Sequence, residues 1–209
     1  MKIEPRTFAL IPAGGRSRRM GRPKLALPLG ERTVLEQVID ALRRAELANI
    51  LVVIAPHAAE LRPLAEAAGA VICMLPEETA DMRATVEHGV DQLEALFQPS
   101  LADSWLLVPA DHPTLDAAVV RRLLQARAAQ PSYSIVVPTF EGRRGHPTLI
   151  GWQHVTGIRE FPTGLGLNVY LRQHAAETLE LPVSSAEILC DLDTPQEYDQ
   201  LLSRFRPPP

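Results

Sequence analysis

Apolar residues in this chain fall into short continuous runs, separated by stretches in which they recur every three to four positions. TFALIP, NILVVIA and AVICM are runs of strand length and read as strands buried on both faces. Between the first two, Val34, Leu35, Val38, Ile39 and Leu42 share one helical face from about Thr33, and a second helix is expected from about His57. Thr33 followed by Glu36 is a capping-box signature, in which hydroxyl and carboxylate each accept a backbone N–H of the first turn. The order so far is βαβαβ.

The alternation continues. A third helix is expected from about Ala80 to Phe97, with Met82, Val86, Leu93 and Leu96 as its apolar positions. The strand SWLLVP follows, then a helix through Val119, Val120, Leu123 and Leu124, the strand YSIVVPTF, a loop EGRRGHP and a short strand TLIG. TLELPV alternates apolar residues at Leu179, Leu181 and Val183, and ILCDLD reads as a further strand before a helix starting TPQEYDQLL. Thr194 as cap, Pro195 at the first helical position and Glu197 define that start. Strands alternating with helices predict a mostly parallel sheet covered on both faces, an α/β chain of three layers.

With 209 residues, 46% of them hydrophobic and 22% charged, the chain suits one domain over residues 1–209, with a frayed tail at about 205–209. The net charge of -4 removes the overall basic field of a nucleic-acid-binding protein, so no nucleic-acid partner is expected. Its apolar runs fall short of the ~20 residues needed to cross a bilayer, and the N-terminal patch is too short for a signal peptide, so a cytoplasmic protein is expected, with no membrane partner. Cys73 and Cys190 have no zinc or redox spacing and read as two buried free thiols.

Against that acidic background, GGRSRRMGRPK places Arg16, Arg18, Arg19, Arg22 and Lys24 directly after the first strand. In an open parallel sheet ligands bind beyond the carboxyl ends of the strands, and the first strand-to-helix loop is the usual anion cradle. Gly14, Gly15 and Gly21 let backbone amides approach phosphate oxygens, and the cations supply charge. The spacing is neither G-x-x-x-x-G-K-[ST] nor G-x-G-x-x-G. Two carboxylate segments stand at other strand ends: Asp111, after SWLLVPA, and Asp191 with Asp193 in CDLDTP. Each alone would be a turn or a helix cap, but beside a basic glycine loop they suit magnesium and a polyphosphate.

Taken in order, AGGRSRRMGRPKL, PADHPTL, EGRRGHPTLI and DLDTPQEY resemble the MobA-like nucleotidyltransferases, and within them the molybdenum cofactor cytidylyltransferase and guanylyltransferase group. The resemblance implies a Rossmann-like α/β/α domain that transfers a nucleoside monophosphate from an NTP to a phosphorylated acceptor. Ala13, Gly14, Gly15, Arg16, Ser17, Arg19 and Lys24 fall in the family's nucleotide signature, with Lys24, Arg19 and Asp111 as catalytic residues. Asp111 matches the metal-binding aspartate of an A-D-x-P element and Asp191 a second ligand of Mg2+. Arg143, Arg144 and His146 lie in the segment that closes over the acceptor. The implied partners are CTP or GTP and a phosphorylated small molecule, molybdopterin, with contact to a molybdoenzyme or chaperone.

The double glycine Gly14-Gly15 points to GTP, whereas GRPKL and GRRGHP point to CTP, the favoured reading. Gly14, lacking a side chain, is expected to leave the base pocket wide. Residues 81–85 and 163–168 depart from the cytidylyltransferase pattern. They leave open a different phosphorylated acceptor, or a non-catalytic domain that senses nucleotides or binds a partner.

Overall fold

A computed structural model describes residues 5–17 and 19–205. Arg18 and residues 206–209 of the expected frayed tail lie outside it; Phe205 closes the last helix. The strands are β1 (Thr7–Ala13), β2 (Pro28–Leu29), β3 (Arg32–Thr33), β4 (Asn49–Ile54), β5 (Val71–Met74), β6 (Ser104–Leu107), β7 (Ile135–Phe140), β8 (Arg143–Arg144), β9 (Thr148–Gly151) and β10 (Thr178–Pro182). Among the described residues seven α-helices join them: α1 (Val34–Arg44), α2 (Leu61–Ala67), α3 (Met82–Phe97), α4 (Ala117–Ala129), α5 (Val155–Glu160), α6 (Leu167–Gln173) and α7 (Pro195–Phe205).

The main sheet runs β10-β7-β9-β6-β1-β4-β5, with β8 paired to β7. Its pairs are parallel except those of β9, against β6 and β7, and the β7–β8 hairpin. The central β1 lies between β4 and β6 and shows why a continuous apolar run was needed. Ala9, Ile11 and Ala13 enter one core with α1, α2, α4 and α7, while Phe8 and Leu10 enter the other with α3, α5 and α6. The result is the expected α/β/α sandwich, and each fully buried leucine or valine adds about 1.5–3 kcal/mol to it. Among the described residues no helix is long and apolar enough to cross a membrane.

Both expected capping boxes form. Glu36 N–H reaches Thr33 Oγ1 and Thr33 N–H reaches Glu36 Oε2 at 2.7 Å. At α7, Thr194 N–H donates to Glu197 Oε2 at 2.8 Å and Glu197 N–H to Thr194 Oγ1 at 3.3 Å.

Elsewhere the local pattern misleads. The third helix begins at Met82, capped by Asp81, and Met82 and Leu96 are 54% and 48% exposed instead of core. Its buried stripe is Val86, Gly89, Val90 and Leu93, and at Gly89 a Cβ would come within 2.4 Å of Leu10. The expected helix at His57 is first a 3-10 turn, Pro56–Ala58, with α2 starting at Leu61. ILCDLD forms no strand: a 3-10 turn at Ala186–Leu189 runs into irregular chain, and Cys190 is exposed while Cys73 is half-buried. The loop EGRRGHP contains β8.

Candidate functional site

The carboxyl ends of β1 and β6 open into one cleft of about 330 Å³, lined among others by Gly15, Arg16, Arg19, Lys24, Asp111 and Asp193. The glycine-arginine loop leaves β1 after Ala13 and folds back on Ser17, whose carbonyl accepts from Met20 N–H and Gly21 N–H at 3.0 and 3.1 Å. Ser17 Oγ accepts Lys24 N–H at 3.2 Å, and Met20 and Leu25 anchor the return in the core. The loop therefore delivers Lys24, on a 3-10 turn, into the wall of the cleft.

Lys24 is 9% exposed and uses three donors: to Asp111 Oδ2 at 2.5 Å, to Leu192 O at 2.6 Å and to Asp193 Oδ1 at 3.0 Å. Burial pulls its pKa down, but the hydrogen bonds and charges of Asp111 and Asp193 outweigh burial and raise it above 10.5. Arg19 holds the other oxygen of Asp193 at 2.8 Å, and Arg16 pairs with Glu78 at 3.2 Å.

Backbone bonds fix this arrangement from below. Val108 N–H donates to Leu10 O, carrying β6 on towards Asp111. Leu192 N–H donates to Asp111 O at 2.9 Å, stitching the DLD segment to the Asp111 turn. Glu197, legible in the sequence only as a cap, also accepts Asp193 N–H at 2.8 Å and so sets the backbone that aims Asp193 at Lys24.

Asp191 faces another way. Its Oδ1 lies 3.8 Å from Nδ1 of the buried His112, too far for a hydrogen bond. His112 is nonetheless the chief influence holding the Asp191 carboxyl below its usual range, with help from His146 and Lys24. His146 reaches this side because Gly145 passes against Ile188, where a Cβ would sit 2.3 Å from the Ile188 carbonyl oxygen, and His146 N–H then donates to that carbonyl. Burial lowers the pKa of His146, and among the described residues neither His112 Nδ1 nor His146 Nδ1 has a hydrogen-bond partner. Arg143 and Arg144 stay on the exposed hairpin, Arg144 pairing with Glu180 at 2.8 Å, and neither lines the cleft.

Beyond Gly14 and Gly15 a second hollow is lined by Glu78, Asp81 and Thr85. A Cβ on Gly14 would meet Thr85 Oγ1 at 3.3 Å and Ala55 Cβ at 3.8 Å, so a side chain there would press on Thr85, which lines the same hollow. Arg83, missed by pattern reading, is 8% exposed and donates to the carbonyls of Ile158, Phe161, Pro162 and Leu165 at 2.7–3.1 Å. The two segments that depart from the family pattern are thus joined: the first turn of α3 clamps the turn before α6.

A larger groove of about 800 Å³ opens at the other ends of the strands, beside Thr7, Asn49 and Ser104; among the described residues its charged lining is Arg6, Glu46 and Arg127, without a pair of carboxylates. Among the described residues no cluster of three or more potential metal ligands forms. Asp111 and Asp193 nevertheless converge on one point, Lys24 Nζ, and two carboxylates completed by phosphate oxygens and water are a donor set that suits Mg2+.

The model of the MobA-like NTP transferase domain matches residues 9–178. A molybdenum cofactor guanylyltransferase of Sinorhizobium fredii is 26% identical over 203 residues, covering 92% of this chain and 88% of that protein. A molybdenum cofactor cytidylyltransferase of Escherichia coli is 24% identical over 198 residues, covering 94% and 95%. The crystal structure of a 4-diphosphocytidyl-2C-methyl-D-erythritol synthase superposes with a TM-score of 0.76 at 18% identity, covering 98% of this chain and all of that one, and shares the fold.

Proposed function

Because the chain belongs to the MobA-like NTP transferase family, we propose that it transfers a nucleoside monophosphate from CTP or GTP to a phosphorylated acceptor, molybdopterin, and releases pyrophosphate. The observation that carries this reading is the meeting of Lys24, Asp111 and Asp193 at the ends of β1 and β6, beside the glycine-arginine loop. The guanylyl- and cytidylyltransferase relatives support the acceptor and the choice of two nucleotides.

The chemistry needs alignment and charge neutralisation more than a base, since the acceptor phosphate is already anionic. An acceptor oxygen forms a bond to the α-phosphorus as the bond to the β-phosphate oxygen breaks, and that electron pair leaves with pyrophosphate. Backbone amides of Gly14 and Gly15 and the charges of Arg16, Arg19 and Lys24 would hold the triphosphate. Asp111 and Asp193, rather than Asp191, would hold Mg2+, which when bound supplies charge to steady the leaving group. His146, on the Asp191 side, would face the acceptor, with CTP the favoured nucleotide on the GRPKL and GRRGHP segments.

The test is magnesium-dependent pyrophosphate release from each of CTP and GTP with molybdopterin, with mass spectrometry of the product. Release that requires the acceptor and one of the two nucleotides is expected. Absence of transfer to molybdopterin from either would overturn the assignment.

A further inference from the structure

Along α3 the apolar stripe begins late. Val86, Gly89, Val90 and Leu93 are buried, but of the first turn only Arg83 and Thr85 are, and neither is apolar, while Met82 stands exposed. Hydrophobic burial therefore does little to hold that turn in place. Two polar side chains do so instead. They sit two positions apart, so they leave the helix about 200° apart around its axis. Thr85 Oγ1 bonds to Thr79 Oγ1 at 2.6 Å and to Asp81 O at 3.2 Å, on the side of Gly14. Arg83 reaches the other way, to the chain at the end of α5.

Every donor of Arg83 is used there. Nε donates to Glu87 Oε1 at 2.7 Å, Nη1 to the carbonyls of Pro162 and Leu165 at 2.8 and 3.1 Å, and Nη2 to those of Ile158 and Phe161, both at 2.7 Å. The guanidinium also lies 5.6 Å from the centre of the Phe161 ring. Carbonyls at a helix end lack partners within the helix, and this fork supplies them. A lysine, with three donors on one nitrogen, cannot reproduce it. Met82, the neighbour of Arg83, lines both the cleft at the ends of β1 and β6 and the hollow beside Gly14, and Asp81 and Thr85 line the hollow. A shift in the first turn of α3 moves the walls of both.

We infer that Arg83 is a positioning residue for the nucleotide: by fastening the first turn of α3 to the chain at 158–165 it sets Met82, Asp81 and Thr85 along the cleft and the hollow, while lining neither itself. This role rests on the nucleotidyl-transfer reading and deepens it, because nucleotide affinity then depends on a segment that lines neither space.

The test is calorimetry of the full chain with α,β-methylene-CTP and -GTP in the presence of magnesium, beside thermal unfolding of each variant. Arg83→Met should raise the Kd of whichever analogue wild type binds about tenfold, and Arg83→Lys about threefold, the second serving if the methionine variant does not fold. Arg6→Met is the comparison, because Arg6 holds the other end of α3 through the carbonyls of Phe97 and Gln98 at 3.1 and 3.2 Å. It should lower the unfolding temperature and leave Kd within about twofold of wild type. In turnover the loss in Arg83→Met should lie in the nucleotide KM, with kcat within about twofold of wild type at saturating nucleotide. Equal analogue affinity in wild type and the Arg83 variants, or an equal loss in Arg6→Met, would overturn the inference while nucleotide binding by wild type stands. No binding of either analogue by wild type would defeat the nucleotide reading and the inference with it.

Discussion

Two glycine-flanked basic segments look alike in the sequence, GGRSRRMGRPK at residues 14–24 and GRRGHP at 142–147, and the fold treats them in opposite ways. The first leaves the end of a central parallel strand, so its return path must cross the mouth of the sheet, where Lys24 and Arg19 meet Asp111 and Asp193. The second is the turn of an antiparallel hairpin whose strand β8 leaves Arg143 and Arg144 exposed and outside the cleft lining, while His146 is largely buried on the Asp191 side. Cationic density alone therefore says little. What turns it into a site is a strand end that brings opposite charges from distant segments to one atom.

The largest expected break in this contrast is Asp111→Asn, which removes a carboxylate from the convergent side. Transfer should fall at least about 100-fold with folding unchanged, read by steady-state pyrophosphate release and circular dichroism. Next is Lys24→Ala, which leaves two carboxylates without their buried partner. Transfer should slow about 100-fold, and the protein should also lose stability in denaturant titration.

His146→Asn addresses the residue of that segment buried on the Asp191 side. It should raise the KM for the acceptor about threefold to tenfold while leaving nucleotide affinity in place, and a change confined to nucleotide affinity would reassign the residue. The smallest effect belongs to Arg144→Ala. Its partner Glu180 lies exposed on the edge strand β10, so stability should move by no more than about 0.5 kcal/mol and transfer by less than twofold.

Much of the scaffold was legible because its signals are local. The buried runs of β1 and β4, the face of α1 and both capping boxes depend on neighbours within a few residues. Asp111 and Lys24 were legible from strand-end position and motif. That Asp193 and not Asp191 meets Lys24 was not legible, since it depends on Leu192 N–H bonding to Asp111 O and on Glu197 holding the Asp193 amide, contacts made only in the folded chain. Arg83 escaped notice for the same reason: its acceptors are carbonyls some 80 residues away, and a carbonyl leaves no mark in sequence. Met82 and Leu96 misled because periodicity marks a face without saying how far the core extends along it.

Hydrogen–deuterium exchange of the full chain, with and without magnesium and CTP or GTP, tests the contrast most directly. The account predicts slowed exchange in residues 14–24 and 109–111, with the β8 hairpin at 142–144 unchanged. Protection of the hairpin with none in 14–24, or no protection by either nucleotide, would contradict it.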